Sequence, residues 1–320
     1  MLMSLMNGGW VSGADGHMQF LITGGTGFIG RRLVHRLLNE GHQVVVLSRQ
    51  PAKEVRLQLS TRVKPVSSLS AVNPSTYFDA VINLAGESIL DKRWSQARKK
   101  VLLDSRIGVT SELVDLVERM ENKPGCFISA SAVGYYGFSQ PGEHLDEFAE
   151  VGNDFAATLC DRWEQAARRV EALGVRTCIV RVGVVLHPSG GALQKMLPVF
   201  RLGIGGPIGN GQQVMSWIHM DDMLNALIFL VNHPETKGVF NAVAPEILTN
   251  KAFAKELGRA VRRPAIFTTP ECVLSLMLGE SAQLLTEGQA VIPKRLQDAG
   301  FTFAYLNARK ALASLLSYLR

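Results

Sequence analysis

The feature that most constrains this chain is the octet Thr23-Gly24-Gly25-Thr26-Gly27-Phe28-Ile29-Gly30, which ends a short apolar run. Gly24, Gly27 and Gly30 are spaced as G-x-x-G-x-x-G. In such a turn one glycine permits a tight bend and another lets the backbone approach a diphosphate. The third lets the following helix pack closely on the strand. The start of that helix offers unpaired N–H groups and a partial positive charge, which suit a phosphate. A glycine pattern by itself is also compatible with a purely structural turn. Set between a strand and a helix of a βαβ unit, it predicts a dinucleotide site built from Gly24, Thr26, Gly27, Phe28, Ile29 and Gly30.

The surrounding pattern supports that unit. Short apolar runs near residues 19–23, 43–47, 62–66, 80–85, 126–131 and 176–182 read as strands. Helical spacing separates them, with long helices over 95–121 and 155–173. Strands alternating with helices of this length predict an α/β, Rossmann-type doubly wound parallel sheet over residues 18–186. The pattern breaks after residue 186: residues 187–211 hold seven glycines and three prolines around one short helix, as a loop-rich junction would. Residues 187–320 are expected to form a smaller, mostly helical and discontinuous substrate or lid region. It has a helix over 221–232, a helix capped by Thr249 and one extended piece at 301–303. A strand near 239–243 is expected to return to the main sheet. Residues 1–17 read as a non-native or disordered extension ahead of a natural start at Met18, outside the fold.

Composition excludes several classes. Charged residues are 19% of the chain and hydrophobic ones 47%, which fits a globular protein. Cys126, Cys160, Cys178 and Cys272 lie far apart, without metal-ligand spacing, so neither a disulfide framework nor a metal site is expected. A reducing compartment, the cytoplasm, fits best. No apolar run approaches a membrane span, and no signal peptide is visible, so no membrane partner is expected. The net charge of +6 is scattered. Arg98-Lys99-Lys100 and Arg262-Arg263 read as solvated helix faces rather than nucleic-acid sites. A mildly basic chain does suit an anionic small molecule.

The end of the second strand bears on the choice of dinucleotide. An acid placed there would bind the ribose 2′-hydroxyl of NAD. Here the strand runs into Ser48-Arg49, and no acid follows until Glu54. Arg49 can pair with the 2′-phosphate of NADP and Ser48 can hydrogen-bond it, so NADP(H) is expected over NAD(H). An ordinary exposed loop arginine is the competing reading.

The glycine octet, Asn83-Leu84-Ala85-Gly86, and Ser216-Trp217-Ile218-His219 followed by Asp221-Asp222 resemble the extended short-chain dehydrogenases/reductases. That group includes the nucleotide-sugar epimerases and dehydratases. More narrowly, the segments Leu278-Gly279-Glu280 and Gly288-Gln289-Ala290-Val291-Ile292-Pro293 are similar to those of the atypical, YfcH-type "epimerase family" proteins. The resemblance runs from Met18 to the end. It implies that Leu84, Ala85 and Gly86 pass beside the cofactor's adenosine and diphosphate, and that Val182 flanks the nicotinamide. Arg106 stands where typical members place an asparagine facing the cofactor. Ordinary sheet packing is the alternative for the apolar positions. The implied substrate is a polar, nucleotide-linked small molecule, and a homodimer through the long helices is the partner the family allows.

The catalytic set departs from that family. Typical members use a serine or threonine near the end of the fifth strand and a Y-x-x-x-K helix, in which lysine lowers the tyrosine's pKa. Ser131 fits the serine. Ala156 and Cys160 stand at the tyrosine and lysine positions, and no Y-x-x-x-K occurs in that helix. Tyr135, on the loop just past Ser131, is the better candidate for a substitute acid or base, although such tyrosines usually shape the substrate pocket. Glu87 can cap, be solvated or contact substrate, and His219 reads as packing ahead of the helix that Asp221-Asp222 begin. Two functions follow: an NADP(H)-dependent epimerase- or reductase-like enzyme using Ser131 and Tyr135, or a catalytically silent NADP(H) sensor.

Overall fold

The structure is a computed structural model that describes residues 16–139 and 142–317. The reading of residues 1–17 as an extension therefore falls outside the described residues, save for Gly16 and His17. In chain order the elements are β1 (Gln19–Thr23), α1 (Phe28–Asn39), β2 (Gln43–Leu47), α2 (Ala52–Gln58), β3 (Lys64–Val66) and β4 (Ala80–Asn83). Next come α3 (Gln96–Leu103) and α4 (Val109–Arg119), then β5 (Cys126–Ala132), α5 (Phe155–Arg168) and β6 (Thr177–Val182). The second half holds β7 (Val184–Leu186), α6 (Gly191–Arg201), β8 (Trp217–His219), α7 (Met220–Asn232), β9 (Gly238–Ala242) and α8 (Asn250–Val261). Four short helices follow: α9 (Glu271–Leu278), α10 (Gln283–Thr286), α11 (Lys294–Asp298) and α12 (Ala308–Leu315).

Seven strands form one sheet in the order β3-β2-β1-β4-β5-β6-β9, and every pair is parallel. Alternate residues of one strand feed opposite cores. Phe20 and Ile22 pack with Leu33, Leu37, Met223 and Leu227, while Leu21 packs with Leu113, Val117 and Val170. Both faces are covered by helices, which is why the strands read as unbroken apolar runs rather than alternating ones. Strand order reverses between β1 and β4, so a crevice opens at the carboxyl edge of the sheet, where ligands bind in such folds. β9 pairs with β6 from Cys178↔Gly238 to Val182↔Ala242.

Two expectations are corrected, and one strand pair is added. The helix expected over 95–121 is interrupted by one π-helical turn, Asp104–Gly108. The Thr110 hydroxyl donates to the Arg106 carbonyl at 2.6 Å at this turn, a local feature that propensity does not encode. Residues 301–303 join no strand; Phe301 and Phe303 instead put their rings edge-on to each other in the core at 4.8 Å. In addition, β7 and β8 form a small parallel pair of their own, because Gly183 turns the chain out of the main sheet beside the Ser216 carbonyl. Three-residue strands in a glycine-rich stretch leave too little periodicity to be seen in advance. Among the described residues no helix is long and apolar enough to cross a membrane.

Candidate functional site

The first part of the site is the turn between β1 and α1. Gly24 has φ +69°, and a Cβ there would collide with the Leu84 carbonyl oxygen. A Cβ on Gly30 would collide with the Gly24 carbonyl, so the approach of α1 to the turn depends on that glycine. The Gly27 N–H donates to Gly24 O at 2.9 Å and closes the bend. Gly27 then caps α1 without any side-chain hydrogen bond, and the first turn holds no acid. The leading amides, at Phe28, Ile29 and Gly30, therefore keep the anion-binding character of a helix start.

Around this turn lies a cleft of about 780 Å³, lined by Thr26, Gly27, Phe28, Gly86, Ser88 and the 189–195 segment. Cations surround it. Arg31 and Arg32 come from α1 and Lys195 from α6, where Lys195 pairs with Asp91 at 2.6 Å. Arg32 is anchored by the Phe28 carbonyl at 3.1 Å, by His187 Nδ1 at 2.9 Å and by the Ser189 hydroxyl. The Phe28 ring lies against Gly190 and Gly191, where a Cβ on Gly190 would overlap it. Ile29 packs into the core beneath the sheet.

The strand ends bring the remaining predicted cofactor residues to the same edge. Ser48 accepts the Gln50 N–H at 3.1 Å. Arg49 is 92% exposed and its Nη2 lies 3.2 Å from Glu87 Oε1. Glu87 also faces Arg98 at 3.7 Å, so this carboxylate is an ion-pair partner and not a free base. Leu84 donates to the Thr23 carbonyl at 3.1 Å, and the Ala85 N–H to Asn83 Oδ1 at 3.4 Å. Arg106 does not project freely: it donates to the Glu87 carbonyl at 2.9 Å and the Leu102 carbonyl at 3.2 Å. Its guanidinium lies under Gly86, where a Cβ would come within 3.1 Å of Cζ, and over the Trp163 ring at 5.3 Å. It holds the 86–88 turn in place from below.

The far part of the edge, after β5 and β6, is a closed network of side chains. Ser131 is 3% exposed, and its hydroxyl donates to Glu164 Oε1 at 2.7 Å. Arg181 grips the same carboxylate through Nε at 2.8 Å and Nη2 at 2.9 Å. Its Nη1 donates to Tyr136 Oη at 2.9 Å, and Tyr136 donates onward to Asn241 Oδ1 at 2.7 Å. Burial opposes the charge of Arg181, but the hydrogen bonds and charge of Glu164 hold its pKa above the ordinary arginine value. Burial pushes the Tyr136 phenol up to about 12, which keeps it neutral. Burial likewise pushes the Cys160 thiol up to about 12. A neutral thiol beside Ala156 cannot act as the family's lysine does.

Ser131 and Tyr135 do not line the cleft at the glycine turn. Tyr135 is half-buried, with the Arg181 guanidinium 3.3 Å from its ring centroid. Val182 ends β6 between Ala132 and Ala242. His219 is buried, accepts the Asp221 N–H at 3.0 Å to cap α7 and stacks on Tyr305 at 3.7 Å, as packing. Sequence reasoning missed Arg181, Glu164 and Asn241. One signal was available: an arginine inside Ile179-Val180-Arg181-Val182 needs a buried acid. Among the described residues no three His, Cys, Asp or Glu side chains are placed to hold a metal ion.

Comparison with known proteins places this geometry. Residues 20–243 match the model of the NAD dependent epimerase/dehydratase family, and residues 269–315 match a domain of unknown function, DUF1731. The chain is 39% identical over 310 residues to an Arabidopsis thaliana protein named "Epimerase family protein SDR39U1 homolog, chloroplastic", covering 94% of this chain and 88% of that one. It is 36% identical over 301 residues to the Bacillus subtilis epimerase family protein YfhF, covering 94% and 98% of the two chains. Among solved structures, human epimerase family protein SDR39U1 (isoform 2) with NADPH superposes with a TM-score of 0.84 at 36% identity. That match covers 94% of this chain and 99% of the human one.

Proposed function

Because the chain belongs to the NAD dependent epimerase/dehydratase family, we propose that it binds NADP(H) and serves a hydride-transfer reaction on a polar, nucleotide-linked small molecule. The observation that carries the reading is the β1–α1 turn, an uncapped, acid-free helix start with two glycines whose Cβ positions are blocked by backbone. A relative 36% identical over nearly its whole length was crystallised with NADPH, which supports NADP(H) over NAD(H). When bound, the nicotinamide supplies or accepts the hydride. Gly24, Gly27 and the first α1 amides hold the diphosphate, while Arg49 and Ser48 take the 2′-phosphate. Arg49 is exposed enough to leave Glu87 for that phosphate. Tyr135 moves the proton at the substrate oxygen. Ser131 is a positioning residue, since its own proton is committed to Glu164. The four unpaired cysteines suit a reducing compartment such as the cytoplasm.

A second reading, an NADP(H) sensor without turnover, is favoured by one observation: the hydroxyl expected to face substrate is turned inward onto Glu164. Calorimetric titration with NADPH and NADH tests the shared premise. Arg49→Ala is expected to weaken NADPH about tenfold, near 1.4 kcal/mol, and to leave NADH almost unchanged. Failure of both dinucleotides to bind would end both readings. Turnover of NADPH with a panel of carbonyl compounds, lost in Tyr135→Phe, separates enzyme from sensor.

A further inference from the structure

Away from the cofactor edge, one corner of the second half combines two features that a globular surface ordinarily keeps apart. The stretch Lys251–Arg263 carries Lys251, Lys255, Arg259, Arg262 and Arg263 against a single acid, Glu256. Glu256 is taken by Arg259 at 2.5 Å. Among the described residues Lys251, Lys255, Arg262 and Arg263 have no ion-pair partner; Arg263 only donates to the Arg201 carbonyl at 3.1 Å. These cations line a cleft of about 720 Å³ between α8 and the segment that follows it.

Beside that cleft two loops run together: the Phe267 N–H donates to the Gly205 carbonyl at 3.2 Å, and a Cβ on Gly203 would touch the Arg263 side chain at 3.8 Å. Their tips project large apolar side chains into water. Leu202 is 75% exposed, Ile204 54%, Ile266 72% and Phe267 53%. Exposed leucines scattered singly need no explanation, but four on adjoining loop tips next to unpaired cations do. A polyanion such as RNA would use the cations alone, and a protein partner would have to carry a matching acidic rim around an apolar centre. A bilayer surface with anionic headgroups uses both: cations meet the headgroups while the apolar tips enter the interface.

We propose that this corner is a peripheral docking surface for an anionic membrane, with Lys251, Lys255, Arg262 and Arg263 facing the headgroups and Leu202, Ile204, Ile266 and Phe267 inserting. The absence of an apolar run, on which a membrane partner was set aside from the sequence, bears on spanning and not on this kind of contact.

The test is sedimentation of the full chain with vesicles of phosphatidylcholine alone and with 30% phosphatidylserine, alongside a fluorescently labelled RNA. Retention on the anionic vesicles is expected, with little on the neutral ones. Lys255→Glu/Arg263→Glu is expected to reduce it at least tenfold, and Leu202→Asp/Ile266→Asp by a similar factor. All four positions are exposed, so unchanged circular dichroism and melting are expected to show that the fold survives. No anionic-vesicle binding, or binding that ignores the apolar pair, overturns the proposal. So does RNA binding without vesicle binding, or a dimer in light scattering that Leu202→Asp/Ile266→Asp dissolves.

Discussion

At the β1–β2–β4 end of the sheet, the surface offered to a ligand is mostly backbone. It consists of a glycine bend, a bare helix start and an exposed arginine beside Glu87. At the β5–β6 end it is mostly side chain, and the side chains already have one another: Ser131, Glu164, Arg181, Tyr136 and Asn241 form a closed chain of hydrogen bonds. The first end is shaped for something that arrives. The second resembles a core that happens to reach the edge. By the resemblance, Ala156 and Cys160 stand at that second end where typical members carry a tyrosine and a lysine, and the buried Glu164–Arg181 ion pair lies beside Cys160.

If the far end is a structural core, breaking its ion pair should cost stability more than binding. Glu164→Ala leaves Arg181 charged and buried without its partner, and the expected loss is about 3–5 kcal/mol in urea unfolding. Replacing both, as Glu164→Leu/Arg181→Met, should restore most of that loss, because an apolar pair carries no desolvation cost. A loss below about 1 kcal/mol in the single variant would mean that water reaches Arg181, and the contrast between the two ends would dissolve.

A pH response is expected from a third place, the buried histidine that ends β8 and caps α7. His219 is buried with Nδ1 accepting the Asp221 N–H and Nε2 left without a partner, and burial lowers its pKa to about 4. Its folded value thus lies below its unfolded value of about 6.5, so the folded state binds fewer protons. The stability this contributes is present above pH 6.5 and is lost as pH falls toward 4. Between pH 7 and pH 5 the loss should be about 2 kcal/mol. Asp222, raised by burial, changes stability in the opposite sense. The check is therefore the difference between the wild type and His219→Asn, which keeps a capping oxygen. Identical pH slopes in the two proteins would remove His219 from the account.

How well each end could be read from the sequence follows the same division. The glycine turn is a local pattern, visible within a window of a dozen residues, and the parallel sheet follows from the repeated alternation of such short strand and helix patterns along the first half. The absence of an acid after β2, on which the expectation of NADP(H) rests, is a local fact of the same kind. The Glu164–Arg181 pair joins a helix to a strand 17 residues on, and Tyr136 to Asn241 spans 105. No periodicity announces such partners; only the oddity of a charge inside an apolar strand does. Arg106 was singled out by family position, yet its placement under Gly86 depends on the π turn, a one-residue slip of register inside an otherwise regular helical pattern.

The finest test of the contrast lies at Gly27, where a small side chain should affect binding without affecting the fold. Gly27 is extended, with φ −77° and ψ −177°, a conformation any residue adopts. A Cβ there would sit 3.1 Å from the Gly24 carbonyl, close enough to require a shift of only a few tenths of an ångström. Serine is a better helix cap than glycine by a few tenths of a kcal/mol, so Gly27→Ser should leave stability within about 0.5 kcal/mol. Its hydroxyl, however, would bond a leading α1 amide and stand where the diphosphate needs to lie. Affinity for NADPH is expected to fall about tenfold, or 1.4 kcal/mol, and NADH should fall with it, because both share the diphosphate. That pattern differs from Arg49→Ala, in which only NADPH weakens. If Gly27→Ser melted early while binding unchanged, the turn would be holding the fold and not a ligand, and the two ends of the edge would be alike.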